Sequence, residues 1–285
     1  MKLVSRLVVS SRPISWINTS FPFAVAHFLG TEKIDTTLVV GTIFFLIPYN
    51  LLMYGVNDVF DYESDLTNPR KGGLEGALLE PKYHTATLWL SASLTAPFAI
   101  YLLLVGNLLS GAILLGVLFA VVAYSAKHLR FKEIPVLDSF TSALHFVGPM
   151  LFGLTLGGIS LTGSVVIMAT IAFLLWGMAS HAFGAVQDIR ADRDANIASI
   201  ATFFGANLTV KLAFAAYLLA ALMLLGLPGR FQFAALVALP YLLVTAREFG
   251  ITDEACETAN RGWKRFIWLN FLAGAIISLL LIGPS

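Results

Sequence analysis

Nine stretches of this 285-residue chain, near 13–30, 36–56, 85–105, 108–126, 136–158, 163–186, 208–227, 231–246 and 263–283, are apolar over about the length a helix needs to cross roughly 30 Å of hydrocarbon. A chain with so many such runs folds with the bilayer as its solvent. The runs lack period-two alternation, and lipid offers no partner to an open N–H or C=O, so they form helices rather than strands. Composition agrees: 58% of residues are hydrophobic and 12% charged, where a soluble domain carries about a quarter charged residues. The expected fold is an all-α integral membrane bundle of nine transmembrane helices, with residues 1–285 forming a single domain. Glycines and prolines inside several runs mark kinks rather than ends.

Cytoplasmic loops accumulate Lys and Arg, so the cations orient the bundle. With the N-terminus inside, every one of the 18 Lys and Arg except Lys33 and Arg230 falls on the inner face. The expected protein is therefore a multi-pass cell-membrane protein with its N-terminus and long polar loops in the cytoplasm and its C-terminus outside. Lys2, Arg6 and Arg12 precede the first run, and Ala24-Val25-Ala26 imitates a signal-peptidase site; a retained first helix is the plainer reading because no soluble domain follows. Cys256 is the single cysteine, which excludes an internal disulfide and a thiolate metal cage. No charge run suits nucleic acid, and membrane lipid is the expected surrounding partner.

Two of the inner loops hold most of the acid. After the second run the chain reads Asn57-Asp58-Val59-Phe60-Asp61-Tyr62-Glu63-Ser64-Asp65, an N-D-x-x-D-x-x-x-D pattern. This spacing places Asp58, Asp61 and Asp65 on one helical face, with Asn57 beside Asp61. Like charges four residues apart repel unless a cation lies between them, and hard oxygen ligands of this kind suit magnesium completed by substrate phosphates. The alternative is a solvated loop of ordinary acids. After the sixth run, Gln187-Asp188-Ile189-Arg190-Ala191-Asp192-Arg193-Asp194 again puts two aspartates, Asp188 and Asp192, at i and i+4. Asp194 is turned off that face, as either a solvated acid or a direct participant. Two acidic patches at the ends of separate apolar helices are more specific than either alone, because a diphosphate with two bridging cations needs carboxylates from opposite sides.

A third inner segment, Tyr124-Ser125-Ala126-Lys127-His128-Leu129-Arg130-Phe131-Lys132, supplies a phenol and cations. Lys127, Arg130 and Lys132, like Arg70 and Lys71 beyond the first cluster, either hold diphosphate oxygens or simply retain the loops inside. Tyr124 either faces the diphosphate or sits in the interfacial aromatic belt. His27 and His145 lack a companion at ligand spacing and read as packing or polar-pocket residues. Tyr54, Phe60, Tyr62 and Phe183 flank the motifs and serve either to wall a reactive cation or to pack helices. Gly55 and Gly184, just before each motif, admit either a substrate tunnel or a neighbouring helix.

With both motifs present without a gap, the chain resembles the UbiA superfamily of intramembrane prenyltransferases over essentially its whole length. The resemblance implies magnesium held by Asp58, Asp61, Asp65, Asp188 and Asp192, and a diphosphate between the motifs with Asn57 and the basic loops as substrate contacts. It also implies a lipophilic acceptor entering from the bilayer. Where the family often has a lysine four residues after the tyrosine, this chain has His128. The stretch from Asn57 to Leu78 and the segment His181 to Asp188 are similar to the bacterial lycopene elongases of C50 carotenoid biosynthesis. That similarity implies dimethylallyl diphosphate as the allylic donor, lycopene as acceptor, and C45/C50 carotenoids as products. A quinone-precursor aromatic or other lipophilic acceptor is the alternative. An ion-coupled transporter fits less well, since its carboxylates belong near the bilayer midplane and these lie at helix ends.

Overall fold

The computed structural model describes residues 2–66 and 78–283, and among them every regular element is helical. Eight helical stretches among these residues are long and apolar enough to cross a membrane: Thr36–Phe60, Pro81–Val105, Leu108–Ser125, Leu137–Leu156, Ser164–Val186, Ala206–Leu225, Gly229–Ala246 and Asp253–Ile282. The remaining expected crossing, 13–30, corresponds to a helix of 15 residues, Ile17–Thr31, with Pro22 inside it. At 1.5 Å per residue it extends about 22 Å, short of the hydrocarbon thickness. Arg70 and Lys71 lie outside the described residues.

The chain divides into two compact units, Met1–Arg130 with Gly148–Ile159, and Phe131–Val147 with Ser160–Ser285. The first contains α1 (Lys2–Ser10), α2 (Ile17–Thr31), α3 (Thr36–Leu46), α4 (Pro48–Phe60), α5 (Tyr62–Asp65), α6 (His84–Val105) and α7 (Leu108–Ser125). Helix α8 (Leu137–Leu156) is divided by the boundary after Val147. The second unit contains α9 (Ser164–Val186), α10 (Ile189–Asp194), α11 (Ile200–Phe204), α12 (Ala206–Leu225), α13 (Leu239–Ala246) and α14 (Asn260–Ile282).

In the first unit, α3 and α4 form one crossing with a break at Ile47. Pro48 has no N–H to donate to the preceding turn, so the ladder opens there. Side chains take the freed carbonyls: Asn50 Nδ2 donates to Phe45 O at 2.8 Å and Leu46 O at 3.1 Å, and Thr19 Oγ1 donates to Phe45 O at 2.7 Å. Asn50 Nδ2 also reaches Thr19 Oγ1 at 2.7 Å, which fixes α2 against the break. Around it Phe23, Phe44, Phe45, Tyr49 and Phe152 are fully buried and packed ring to ring, with Phe23–Phe45 centroids 5.1 Å apart and Phe45–Tyr49 also 5.1 Å. The C-terminal half of α8 meets α2 through glycines. A Cβ on Gly153 would lie 2.6 Å from the Phe23 carbonyl oxygen, and one on Gly30 would strike the Gly157 carbonyl. Backbones approach this closely only where side chains are absent.

The core of the second unit is Ala179, Ala182, Phe183, Ala206, Ala213, Tyr217, Tyr241 and Phe266 with their neighbours. Alanines let α9 and α12 pack along one another, while Tyr217 OH and Ser180 Oγ share a hydrogen bond at 3.0 Å. Tyr241 OH donates to Asn270 Oδ1 at 2.9 Å, so both buried phenols are satisfied.

Gly153→Val should destabilise the protein by about 1–3 kcal/mol or more, since backbone rather than a flexible side chain stands in the way. Gly116→Ala, where a Cβ meets nothing within 4 Å, should change stability by less than about 0.5 kcal/mol. Thermal unfolding of the detergent-solubilised variants measures the contrast.

Candidate active site

The first acidic motif lies at the C-terminal end of α4 and in α5. Helix α4 ends at Phe60, Asp61 takes φ −103° and ψ 3°, and α5 restarts at Tyr62. The break is small: Asp61 N–H still donates to Asn57 O at 2.9 Å and Asp65 N–H to Asp61 O at 2.8 Å. Asp58, Asp61 and Asp65 are buried, with relative exposures of 1%, 4% and 6%. Carboxylates at a helix C-terminus face the negative end of its dipole and are already disfavoured there. Burial adds to that cost, so the motif requires positive charge.

Two arginines supply it. Arg12 Nη2 lies 3.2 Å from Asp58 Oδ1 and 3.3 Å from Asn57 Oδ1. Its guanidinium also covers the Tyr54 ring, 4.2 Å from the centroid. Burial works against the Arg12 charge, but Asp58 and its neighbours outweigh it and raise the Arg12 pKa above the ordinary value. Ser10 Oγ donates to the second oxygen of Asp58 at 2.7 Å. Arg130 Nη2 lies 3.5 Å from Asp61 Oδ1, and Arg130 Nη1 donates to Phe60 O at 3.4 Å. Asn57 is the hinge of the motif. Its amide nitrogen donates to Asp61 Oδ2 and, at 3.0 Å, to Ser125 Oγ at the end of α7.

Of the three expected loop cations, Arg130 reaches the first acidic motif. Lys127 is exposed, and Lys132 is half-buried in the second unit. His128 and Arg130 both have positive φ, 76° and 42°, so the chain turns sharply to bring Arg130 back toward Phe60. Tyr124 is half-buried one residue before Ser125. Ser10, Arg12 and Ser125 were missed as site residues by sequence reasoning. Arg12 counted there only as one more inner-face cation, since its partner stands 46 positions away.

The second motif follows α9. Asp188 is the N-cap position of α10, and Asp192 N–H donates to Asp188 O at 2.8 Å, so the two stand one turn apart as the spacing requires. Both are half-buried, whereas Asp194 is exposed, as expected for an acid off that face. Ser199 Oγ donates to Asp192 Oδ2 at 3.4 Å. The neighbouring arginines turn elsewhere, Arg193 to Asp253 at 2.7 Å and Arg190 to Glu257 at 3.4 Å. Gln187 anchors the turn by donating to Gly184 O at 2.9 Å while its carbonyl accepts from Asn260 Nδ2 at 2.5 Å.

Gly55 and Gly184 take the packing role of the two open to them. A Cβ on Gly55 would touch Thr87 and Ser91 of α6 at 3.1 Å, and one on Gly184 would lie 2.8 Å from the Trp263 ring. Phe183 is fully buried against Gly262, Phe60 is exposed, and Tyr62 packs edge-on to His84. Among the described residues, no three His, Cys, Asp or Glu side chains are gathered as a preformed metal cage. Hard carboxylate oxygens in two small sets nevertheless match magnesium, which takes one or two carboxylates and completes its shell with water and phosphate.

The UbiA prenyltransferase family matches residues 19–272. The chain is 55% identical to the C(50) beta-cyclic carotenoids biosynthesis protein of Dietzia sp. over 98% of its own length, and it spans 65% of that longer protein. It is 49% identical to the lycopene elongase/hydratase of Corynebacterium glutamicum over 99% of this chain and 98% of that protein. Among solved structures, a UbiA homolog from Archaeoglobus fulgidus bound to DMAPP and Mg2+ shares the fold, with a TM-score of 0.68 at 18% identity over 95% of this chain and 99% of that one. Family match, full-length relatives and apolar helices agree: the chain belongs to the UbiA prenyltransferase family and is a multi-pass membrane enzyme.

Proposed function

We propose that this enzyme transfers the C5 unit of dimethylallyl diphosphate to lycopene, giving C45/C50 carotenoids, in a magnesium-dependent reaction at the cytoplasmic face of the membrane. The observation that carries the reading is the 49% identity to a lycopene elongase/hydratase across nearly the whole of both chains. Asp58, Asp61 and Asp65 would hold one cation and Asp188 and Asp192 another. Magnesium bound at such carboxylates would offset the negative charge that grows on a diphosphate as the allylic carbon–oxygen bond lengthens.

The chain's own groups prepare that event. Arg12 and Arg130, which partner Asp58 and Asp61 directly, turn to phosphate oxygens when the donor arrives, as guanidinium geometry favours. Asn57, held by Ser125, keeps Asp61 aimed. Tyr124, Lys127, Lys132, Arg70 and Lys71 supply further contacts to the diphosphate. No protein nucleophile is needed, because the leaving group departs by charge stabilisation. Lycopene carries no charge and no hydrogen-bonding group, so its affinity comes from apolar area removed from water, at about 25 cal/mol per Å² before ordering costs. The inner-face bias of Lys and Arg supports placing the N-terminus and both motifs in the cytoplasm and the C-terminus outside.

Purified enzyme given magnesium, dimethylallyl diphosphate and either lycopene or an aromatic acid should extend lycopene by one or two C5 units. Mass analysis showing that only the aromatic compound is consumed would overturn the acceptor assignment. Asp61→Asn and Asp188→Asn should each lower turnover by about a hundredfold or more while the protein stays folded, an effect of on the order of 3 kcal/mol on the barrier. Near-normal rates in both would remove the two-cluster mechanism.

Arginine and cation compete for Asp58. Arg12→Ala should therefore destabilise the metal-free protein by about 1–3 kcal/mol, since it leaves a buried carboxylate without its partner. Millimolar magnesium should close much of that gap. Thermal unfolding with EDTA and with magnesium tests both statements, and a gap that magnesium leaves unchanged counts against a cation at Asp58.

A further inference from the structure

Helix α14 packs through one face. Gly262, Phe266 and Asn270 are buried there, and a Cβ on Gly262 would stand 2.8 Å from the Phe183 ring. At 3.6 residues per turn the opposite face carries Arg261, Lys264, Arg265, Trp268, Leu272 and Leu279. All six are exposed, Trp268 to 66% and Leu279 to 68%. Leu272 and Leu279 need no further explanation, since the outer face of a membrane span meets acyl chains.

The charges at the head of this stripe do need one. Arg261 stands three and four positions from Lys264 and Arg265, spacings at which like charges repel. No carboxylate relieves them: among the described residues, none of the three side chains forms an ion pair or a hydrogen bond. Asp253 and Glu257, just before the helix, are engaged by Arg193 at 2.7 Å and Arg190 at 3.4 Å. Holding a loop on one side of a membrane is served by cations anywhere along it. That role gives no reason to gather three on one helical face beside a lipid-facing tryptophan.

Trp268 fixes the depth. Indole rings collect where acyl chains meet headgroups. Lys264 stands one turn, about 6 Å, beyond the ring toward the polar end, at the level of lipid phosphates. We propose that this face of α14 is a binding site for an anionic phospholipid. Arg261, Lys264 and Arg265 hold its phosphodiester and acidic headgroup, and its acyl chains lie along Trp268, Leu272 and Leu279. Guanidinium and ammonium groups suit phosphate oxygens, and each cation beside a span favours anionic lipid by roughly fivefold. The site lies outside the transfer reaction and does not depend on the acceptor. Asn260 and Trp263, in the same turns, meet Gln187 and Gly184 beside the second acidic motif, so the lipid braces the helix that supports that motif.

The test uses the full-length enzyme in phosphatidylcholine liposomes containing phosphatidylglycerol, with one lipid or the other brominated on its acyl chains. Trp268 emission is read as the difference from Trp268→Phe. Mole for mole, brominated phosphatidylglycerol should quench it about tenfold more effectively than brominated phosphatidylcholine. Arg261→Gln, Lys264→Gln and Arg265→Gln together should bring that ratio to about one. Lys264→Gln alone should lower it by about twofold or more, while Lys264→Arg keeps it; this pair decides the matter if the triple variant does not reconstitute. Lys33→Gln with Lys211→Gln, which removes two exposed cations elsewhere, should leave the ratio unchanged. A wild-type ratio near one, or a preference that survives the triple replacement, overturns the proposal. Inorganic phosphate that abolishes the preference at millimolar concentration assigns the cations to a free anion and overturns the lipid assignment. A wild-type oligomer that the triple variant dissociates assigns the face to a second copy of the chain, and overturns it as well.

Discussion

Hydrocarbon cannot hydrogen-bond to a peptide group, and that single fact arranges most of this protein. The chain crosses as helices whose ladders satisfy themselves, and it breaks only where side chains stand in. At the α3–α4 break, Pro48 opens the ladder and Asn50 with Thr19 takes the freed carbonyls. The carboxylates of the two motifs collect at helix ends: Asp58 in the last turn of α4, the unfavourable pole for an acid, and Asp188 and Asp192 at the start of α10, the favourable one.

An arrangement that is costly by itself has to be compensated. Asp58 and Asp61 are compensated by Arg12 and Arg130, each drawn from a segment outside the crossing that carries the acids. Arg12 stands 3.2 Å from Asp58 and Arg130 3.5 Å from Asp61, so each of these two buried acids has a guanidinium within ion-pair distance. A second polar group, Asp138 with Ser139 and His181, lies in the second unit, where Asp138 accepts from the first N–H of α11.

Much of this was legible in the chain alone. Nine apolar runs implied an all-helical membrane protein, and eight spans meet the length and composition needed among the described residues. The first run is different because its helix, which carries Pro22, is only 15 residues long. The acidic motifs were legible too, because their meaning depends on spacings of three and four residues, which a helix turns directly into proximity. Asp194, which the same spacing turns off the shared face, is exposed.

Partners far apart in the chain were not legible. No local pattern marks Arg12 as the counter-ion of Asp58 or Ser125 as the support of Asn57, since 46 and 68 positions separate them. Nor could spacing choose between tunnel and packing for Gly55 and Gly184, because a missing side chain has no signature until Thr87, Ser91 or Trp263 is placed against it. Sequence determined what repeats along a helix: the spans, the acids and their shared faces. Tertiary structure alone decided which charge answers which, because long-range pairing depends on where separate helices end, and helix ends are set by packing rather than by the periodicity of any one segment.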